Sequence, residues 1–444
     1  MLSIRIRLAI TGSLVLLCSA AANAQPTYSR EVSRIVQKKC QMCHRPNAIA
    51  PFSLMTYGDA VSQGRAIRVA VESGIMPPWK PVSGHGHFKG NLSLTSQQKR
   101  MILAWIDAGT PEGDPGDLPA PVVWPNEWRL GLPDQVLSMP VAYTPTARDD
   151  RPDRYRCFVL PNVVDRDRWV RAVDIVPGIR QMVHHVLLYL TDDAAQIKLA
   201  QQFEQEDSDP GYDCWGGPRI TPGAGPGLIK LAGGVLGGWV PGANVIELSP
   251  DIGILVPKGA TVIMQVHYNL AAVDSALPDQ TRVGLYYQAA TPKNRLLTLP
   301  LINDQFVLEP GAMGQRVDAD FPLDLGAFGL TVPASLAPRF SAIRIAPHMH
   351  QLGHRIGAAL AQPDGTQTPL IQIDDWDFHW QGFYDYEVPV AIPYRSTIKA
   401  SCVFDNTTDH VVRWGESTED EMCLVYIGFI AEGGISPLLF GNPQ

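Results

Sequence analysis

The sequence predicts a mainly β protein with a small all-α domain at its N-terminal end. The 39 glycines and 38 prolines are scattered without a period, as in proteins built of many short strands joined by turns. After a Pro- and Gly-rich segment at 110–125, short runs alternate apolar and polar residues with the period of two that strands show. Before that segment, apolar residues recur at helical spacing. With 444 residues and 45% hydrophobic content, the chain is long enough for two to four domains.

The first 24 residues, 1–24, have the build of a cleaved secretory signal. Arg5 and Arg7 precede an apolar run over 8–17, and Ala22-Asn23-Ala24 resembles a cleavage site before Gln25. The apolar run is shorter than the roughly 20 residues that span a bilayer, although an uncleaved anchor is the alternative. We therefore expect a periplasmic or secreted protein without a stable membrane span.

The chain is acidic rather than basic. It has 36 Lys and Arg against 44 Asp and Glu, a formal net charge of −8. Binding of nucleic acid requires a basic surface. We therefore expect no nucleic-acid partner.

A haem attachment motif follows a helix predicted over 30–40. Cys40-Gln41-Met42-Cys43-His44 is a CxxCH sequence. The thiols of Cys40 and Cys43 can add to the vinyl groups of a haem while the imidazole of His44 binds the iron. A zinc site or a redox CxxC is the alternative. The motif predicts one covalently bound haem c.

The sixth iron ligand is predicted to be Met76. It lies in the segment 74–79, where Pro77 and Pro78 stiffen a loop suited to presenting a thioether. A helix over 95–108 then closes a cytochrome c domain at 25–118. Other nearby candidates are expected to pack or to lie in loops: Met42, Met55, Met101, His85 and His87.

Four cysteines remain outside the signal segment and the haem motif: Cys157, Cys214, Cys402 and Cys423. An even number in an oxidising compartment predicts two disulfides. The residues alone permit three pairings.

Three runs in the β-rich part place histidine or methionine opposite an apolar face. These runs are 261–270, 341–350 and 422–429. In the second run, Ile343 and Ile345 are predicted to share the apolar face. The residues on the opposite faces are His267, the pair His348 and His350, and Met422 with Tyr426.

A fourth run contains the adjacent pair His184 and His185. Neighbouring residues of a strand point to opposite faces, so both can bind one metal only if a bulge or a strand end turns one of them. Otherwise, one of the two is a core or surface histidine.

The donor types indicate copper. Two imidazoles with a thioether favour copper over zinc, because soft sulfur stabilises Cu(I), and an all-imidazole site suits copper that cycles between oxidation states. The sequence therefore predicts two unlike copper sites.

From about Tyr155 onward the sequence resembles the copper type II ascorbate-dependent monooxygenases, the family of peptidylglycine α-hydroxylating and dopamine β-monooxygenases. The resemblance rests on four ordered blocks: Val183-His184-His185, Gln265-Val266-His267-Tyr268, His348-Met349-His350-Gln351-Leu352-Gly353 and Asp420-Glu421-Met422-Cys423. It implies that His184, His185 and His267 hold an electron-transfer copper. It also implies that His348, His350 and Met422 hold the copper where dioxygen binds, with Tyr426 on the substrate side.

The same resemblance implies two jelly-roll β-sandwich copper domains, at 119–292 and 293–444, that face each other across a solvent-filled cleft. It further implies the disulfide pairs Cys157–Cys214 and Cys402–Cys423.

One departure concerns the substrate. Peptide-amidating members have an arginine two residues before the first His of the HxH block, where this chain has Ala346. Arg344 is either a surface residue or an alternative anchor for an anionic or polar substrate. His354, His379 and His410 match no ligand of the family and are expected at the surface or behind the ligands. An aromatic cluster is expected in the core or at a sandwich edge rather than around substrate: Trp376, Phe378, Trp380, Phe383, Tyr384 and Tyr386.

Together, the resemblance and the haem motif predict a copper-dependent monooxygenase that hydroxylates a C–H bond of a small organic substrate with dioxygen. Its electrons would come through the haem from a periplasmic donor or an ascorbate-like reductant. Two alternatives stay open: a non-catalytic copper and haem electron carrier, and a dehydrogenase that passes substrate electrons out through the haem.

Overall fold

The computed structural model describes residues 25–46, 48, 50–124, 127–147, 153–161, 163–214, 217–220, 234–240, 245, 247–270, 273–323, 339–415 and 419–432. The predicted signal, 1–24, lies outside these ranges. Among the helices within them, none is long and apolar enough to cross a membrane.

The helices lie mostly before residue 118. They are α1 Ser33–Lys39, α2 Tyr57–Ser62, α3 Gly64–Ser73, α4 Ser96–Asp107 and α5 Ala194–Glu206, with a π turn at Tyr28–Val32 and a 3-10 turn at Pro115–Asp117. A capping box between Thr95 and Gln98 starts α4 and fixes its first turn. Trp105 packs in a small core with Tyr28 and Val36. The helices predicted over 30–40 and 95–108 are confirmed, the first as the π turn followed by α1.

The rest of the described chain is mainly strands, as predicted. They are β1 Gln135–Ser138, β2 Asp153–Leu160, β3 Arg168–Val176, β4 Val183–Thr191, β5 Tyr212–Asp213, β6 Val235–Trp239, β7 Ile252–Val256, β8 Thr261–Asn269, β9 Arg282–Tyr287, β10 Asn294–Asn303, β11 Val307–Leu308, β12 Gln315–Pro322, β13 Arg339–His348, β14 Gly353–Ala361, β15 Gln367–Ile373, β16 Tyr384–Ile392, β17 Thr397–Phe404, β18 Val412–Arg413 and β19 Cys423–Glu432.

The β-rich part has two halves, the strands up to β9 and the strands from β10 onward. One long sheet connects them. Its order is β1-β9-β3-β7-β10-β19-β13-β16. The five-stranded sheet β5-β2-β8-β4-β6 shares a core with its first half, and the four-stranded sheet β12-β17-β14-β15 with its second. The halves join where β10 pairs in parallel with β7 and antiparallel with β19. Because the sheet is continuous there, the domain boundary at 292/293 stays a prediction.

A bulge in β13 makes one face assignment wrong. The register shifts between Ala342 and Arg344 where β13 pairs with β16 and β19. A bulge re-aims the extra residue. Ile343 therefore packs in the core of the first half, whereas Ile345 packs in the core of the second.

The helical region docks onto the second half of the β-rich part through the segment 79–89. The N–H of Val82 donates to the carbonyl of Gln372 at 2.8 Å, and Phe88 forms an antiparallel bridge with Tyr386. Phe88 is also a member of the second core. The helical region is thus held by packing as well as by the chain that follows it.

Both disulfides implied by the resemblance are present. Cys157 in β2 bonds Cys214, and Cys402 in β17 bonds Cys423 in β19. The second bond joins the two sheets of the second half.

Candidate metal centre

A β-bulge presents the adjacent histidines of β4. Val183 lies opposite Tyr268 of β8, whereas His185 lies opposite His267, so His184 is the extra residue of the bulge. A bulged residue is free of the strict alternation of the strand. The condition that the sequence set for joint ligation is therefore met.

The bulge completes a cluster of His184, His185 and His267. One ring nitrogen from each lies within 4.8 Å of the others, and Nδ1 of His185 and Nδ1 of His267 are 3.3 Å apart. Both ring nitrogens of His184 are buried without a hydrogen-bond partner among the described residues. Burying a polar group without a partner is costly, and a metal ion would satisfy it. The three side chains therefore fit a metal site.

His267 is held from behind by groups of β2. Its Nε2 donates to Oδ1 of Asp153 at 2.8 Å, which leaves Nδ1 as the nitrogen able to bind a metal. Its ring stacks on Tyr155 with centroids 4.1 Å apart. The face of β8 that carries His267 is itself buried, because a third, smaller core that contains Ile263 lies on that side. The site is therefore embedded in protein.

Burial keeps these imidazoles neutral. It lowers the pKa of His184 to about 4, and it lowers the pKa values of His185 and His267 well below the usual value with help from neighbouring imidazoles. Burial also lowers the pKa of His348 to about 3. The neutral ring is the form that binds metal ions, so these side chains are ready ligands at neutral pH.

Replacing Asp153 with alanine is expected to weaken copper binding at the three-histidine cluster by about 10–100-fold, the usual cost of losing the group that orients a ligand. Competition titration with a copper chelator measures the affinity. Asp165→Ala is the control, because Asp165 is exposed. Equal affinities in Asp153→Ala and the wild type would contradict this role.

The second set of candidate ligands lies where β13 ends. The rings of His348 and His350 have centroids 5.1 Å apart. Nδ1 of His348 donates to Oε1 of Gln381 at 2.6 Å, and Nδ1 of His350 donates to the carbonyl of Asp420 at 3.0 Å. With Nδ1 engaged in each ring, a metal here would be bound through Nε2.

A buried carboxylate links Met422 to this pair. Glu421 accepts the backbone N–H of His350 at 2.9 Å and that of Met422 at 3.2 Å. Met422 is itself buried and directly precedes β19, in which Tyr426 lies opposite Ala346 of β13. The structure thus brings the predicted donors of the second site to one end of the β13–β19 pair.

One aromatic ring contacts a histidine of each set. Phe378 stacks on His184, with centroids 4.8 Å apart and an interplanar angle of 23°, and its ring lies edge-on to His350 at 5.7 Å. The resemblance implied a solvent-filled cleft between the two sites. Phe378 is buried where it contacts these two histidines, and the cleft stays a prediction.

The helical region encloses an apolar cavity of about 480 Å³ beside the CxxCH motif. Its walls include Cys40, Cys43, His44 and Met76. Nδ1 of His44 donates to the carbonyl of Phe52 at 3.1 Å, so Nε2 is the nitrogen available to a metal. The volume is within the usual range for cofactor pockets. The residues therefore fit a haem.

Of the two alternatives for this motif, the redox pair fits less well. Burial raises the pKa of Cys40 to about 12 and also raises that of Cys43, whereas redox CxxC pairs depend on a lowered thiol pKa. Met76 lines the cavity, but the other candidates do not: Met42, Met55, Met101, His85 and His87.

The cavity and the three-histidine cluster share a wall. His184 lines the cavity, as do His379 and Trp380. His379 has a 71% exposed side chain, as expected for a surface residue, but its ring lies 6.2 Å from that of His184. His354 and His410 are exposed and pair with Asp405 and Asp409.

Arg344 is neither an exposed residue nor an unpaired anchor for an anion. Nε of Arg344 donates to Oδ1 of Asp385 at 2.5 Å and NH2 donates to Oδ2 at 3.1 Å. The Arg344 side chain is 15% exposed and that of Asp385 is 1% exposed. This bidentate pair engages the charge that an anionic substrate would need.

Arg344→Met is expected to destabilise the fold by about 3–5 kcal/mol, because it leaves the Asp385 carboxylate buried without its partner. Urea unfolding measures the change. The exposed pair Arg316–Asp318 provides the control, and Arg316→Met should have little effect. A loss for Arg344→Met no larger than the control's would contradict this account.

Several groups that hold the candidate ligands have no obvious sequence signal. Asp153 is 114 residues from His267, and Gln381 is 33 residues from His348, so only the folded chain joins them. Phe378 belongs to an aromatic cluster that the sequence assigned to the core. Glu421 did lie in one of the quoted blocks, directly before Met422.

Comparison with known proteins supports one class of protein. Residues 339–435 match the family model described as copper type II ascorbate-dependent monooxygenase, C-terminal domain. This segment contains His348, His350 and Met422, together with the groups that orient them.

A particular relative points the same way. The human (Homo sapiens) protein described as DBH-like monooxygenase protein 2, a name itself given by likeness, is 22% identical over 330 residues. The alignment covers 73% of this chain, and the chain spans 62% of the length of that relative.

Solved structures add no argument about function. The VP2 subviral particle of infectious bursal disease virus is 11% identical with a TM-score of 0.18, covering 72% of this chain and 77% of that chain. Protein P2 of bacteriophage PM2 is 11% identical with a TM-score of 0.22, covering 68% and 99%. PNGF-II is 9% identical with a TM-score of 0.24, covering 67% and 64%. Scores this low carry no inference.

Proposed function

We propose that the chain is a copper-dependent monooxygenase that hydroxylates a C–H bond of a small organic substrate, with a covalently bound haem c as its electron entry. The observation that carries the proposal is a pair of unlike donor sets, three histidines in one and the His348/His350 pair in the other, with Phe378 in contact with a histidine of each. The family match over 339–435 supports copper as the metal.

The overall reaction converts R–H, O₂, two electrons and two protons into R–OH and water. When bound, two copper ions supply the reduction of dioxygen and store one electron each. Two unlike sites therefore suit a reaction that needs two electrons besides those of the C–H bond.

The protein's own groups have separate tasks in this proposal. His348, His350 and Met422 would hold the copper that meets dioxygen, because the thioether favours Cu(I). His184 and the two other histidines of its cluster would hold the electron-transfer copper. Tyr426, predicted on the face of Met422, would line the substrate side.

Cys40 and Cys43 would carry the haem, and His44 and Met76 would bind its iron. When bound, it supplies one-electron transfer from a periplasmic donor or an ascorbate-like reductant. Support for this entry comes from His184, which belongs both to the cavity wall and to the three-histidine cluster. The predicted secretory signal supports a periplasmic or secreted place of action.

The substrate would be held without an arginine anchor on β13. Ala346 stands where peptide-amidating enzymes have one, and Arg344 is paired with Asp385. A neutral small molecule therefore suits this site better than a peptide carboxylate.

The test is a metabolite screen with the copper- and haem-loaded protein under ¹⁸O₂ and a reductant. We expect one labelled oxygen atom in an alcohol product. Product without label would indicate the haem-coupled dehydrogenase instead. Reduction and reoxidation of the metals without product or oxygen uptake would indicate the electron carrier.

A further inference from the structure

The segment 376–381, which we call the bridging loop, connects β15 to β16 and touches all three candidate sites. Nε1 of Trp376 donates to the carbonyl of His350 at 3.1 Å. Oε1 of Gln381 accepts from His348. Trp380 lines the haem cavity. One loop of the second half thus contacts His348 and His350, contacts His184 through Phe378, and lines the cavity of the helical region.

The bridging loop is held in one conformation by its own hydrogen bonds. The N–H groups of His379 and Trp380 donate to Oδ1 and to the carbonyl of Asp377, both at 2.9 Å. Nε2 of Gln381 donates to the carbonyl of Phe378 at 2.9 Å. Lys80, in the segment 79–89, forms an ion pair with Asp375, which directly precedes the bridging loop. These bonds restrict the backbone on both sides of Phe378.

Phe378 occupies the centre of this arrangement. Its side chain is buried, with one face on His184 and an edge against His350. An aromatic ring has few rotamers and resists compression, so it makes a defined spacer in a close-packed interior. The two imidazoles come from different halves of the β-rich part, and this ring contacts both.

We propose that Phe378 is a positioning residue that fixes the separation between the two copper sites. The inference rests on the proposed function, since it presumes copper at both donor sets. With one electron stored at each site, one of them would have to cross between the sites in each turnover, and the rate of electron transfer depends steeply on distance. A rigid ring held by the bridging loop keeps that distance the same in every molecule.

The test measures the magnetic dipolar interaction between the two Cu(II) ions by electron paramagnetic resonance. This interaction falls with the cube of the distance. Wild-type protein should show one narrow splitting. Phe378→Ala should lose this single splitting and give a broad distribution, because His184 loses its stacking partner, while the copper content stays at two per chain.

Two further variants distinguish the effect of the aromatic ring from the effect of side-chain size. Phe378→Leu keeps an apolar side chain of similar size and should also lose the narrow splitting. Phe378→Tyr keeps the ring and should restore it. The control is Phe383→Ala, which removes a nearby aromatic whose ring faces Arg344 and should leave the splitting unchanged.

The outcomes distinguish this inference from the function on which it rests. Two coppers per chain with the same narrow splitting in wild type, Phe378→Ala and Phe378→Leu would overturn the positioning role alone. A wild-type protein that binds fewer than two coppers would overturn the proposed function and this role together. If Phe378→Ala fails to fold, the comparison of Phe378→Leu with Phe378→Tyr decides.

Discussion

Met422→Ala is expected to abolish oxygen uptake that depends on substrate, while the three-histidine cluster keeps its copper. The thioether is the soft donor of the second set, and without it the His348/His350 pair loses its preference for Cu(I). Met422 is buried beside Glu421, which is tied to the backbone of both Met422 and His350. An oxygen electrode, with the substrate that the ¹⁸O₂ screen identifies, measures the uptake. Metal analysis counts the copper.

The control for this substitution is Met313→Ala, because the Met313 side chain is 63% exposed and its loss should leave uptake unchanged. Uptake by Met422→Ala at the wild-type rate would contradict the assignment of the dioxygen site. If the wild type takes up no oxygen and Met422→Ala only binds copper more weakly, the results would support the electron carrier.

The double variant Cys40→Ser, Cys43→Ser is expected to lose all covalent haem. Both thiols line the apolar cavity, as Met76 does, and they are not in a disulfide. Thioether bonds to the vinyl groups would survive denaturation in the wild type and have no counterpart in the variant. Haem staining of the denatured chain measures the difference, and pyridine haemochrome spectra give the stoichiometry.

A second substitution separates attachment from ligation. Met76→Ala should keep covalent haem but lose the charge-transfer band of a sulfur-ligated ferric iron, and Met55→Ala should keep both. A wild-type chain that carries no covalent haem after maturation in an exporting host would contradict the haem site.

Local patterns predicted the direction of single side chains, whereas the grouping of the ligands came from the family resemblance. The period of β8 identified His267, and the alternation at the end of β13 paired His348 with His350, because strand geometry alone fixes these directions. The adjacent His184 and His185 violated that geometry. Joint ligation was therefore conditional on a bulge or a strand end, and the register shift at His184 meets that condition.

Other features depend on contacts between distant segments, which a local pattern does not contain. Ile343 has the same alternation as Ile345, yet a bulge sends it into another core. Arg344 reads as an exposed cation until Asp385, from β16, is placed beside it. Docking of the segment 79–89 likewise cannot be predicted locally, because Phe88 pairs with Tyr386 of β16, the edge strand of the long sheet.

The face that carries His267 shows the same limit. Its polar residues predicted a direction away from the core of β8, and the direction is right. The His267 side chain is nevertheless fully buried, because the third, smaller core and Asp153 pack against it. Sequence period reports direction, whereas burial depends on what packs there.

X-ray absorption at the copper edge of the fully reduced protein tests the central claim most directly. The account predicts two coppers per chain, one with only imidazole donors and one with a sulfur ligand, so a copper–sulfur scattering path should be present at half occupancy. This path should disappear in Met422→Ala and persist in Met313→Ala. A single copper per chain, or two coppers without sulfur in the wild type, would contradict the account.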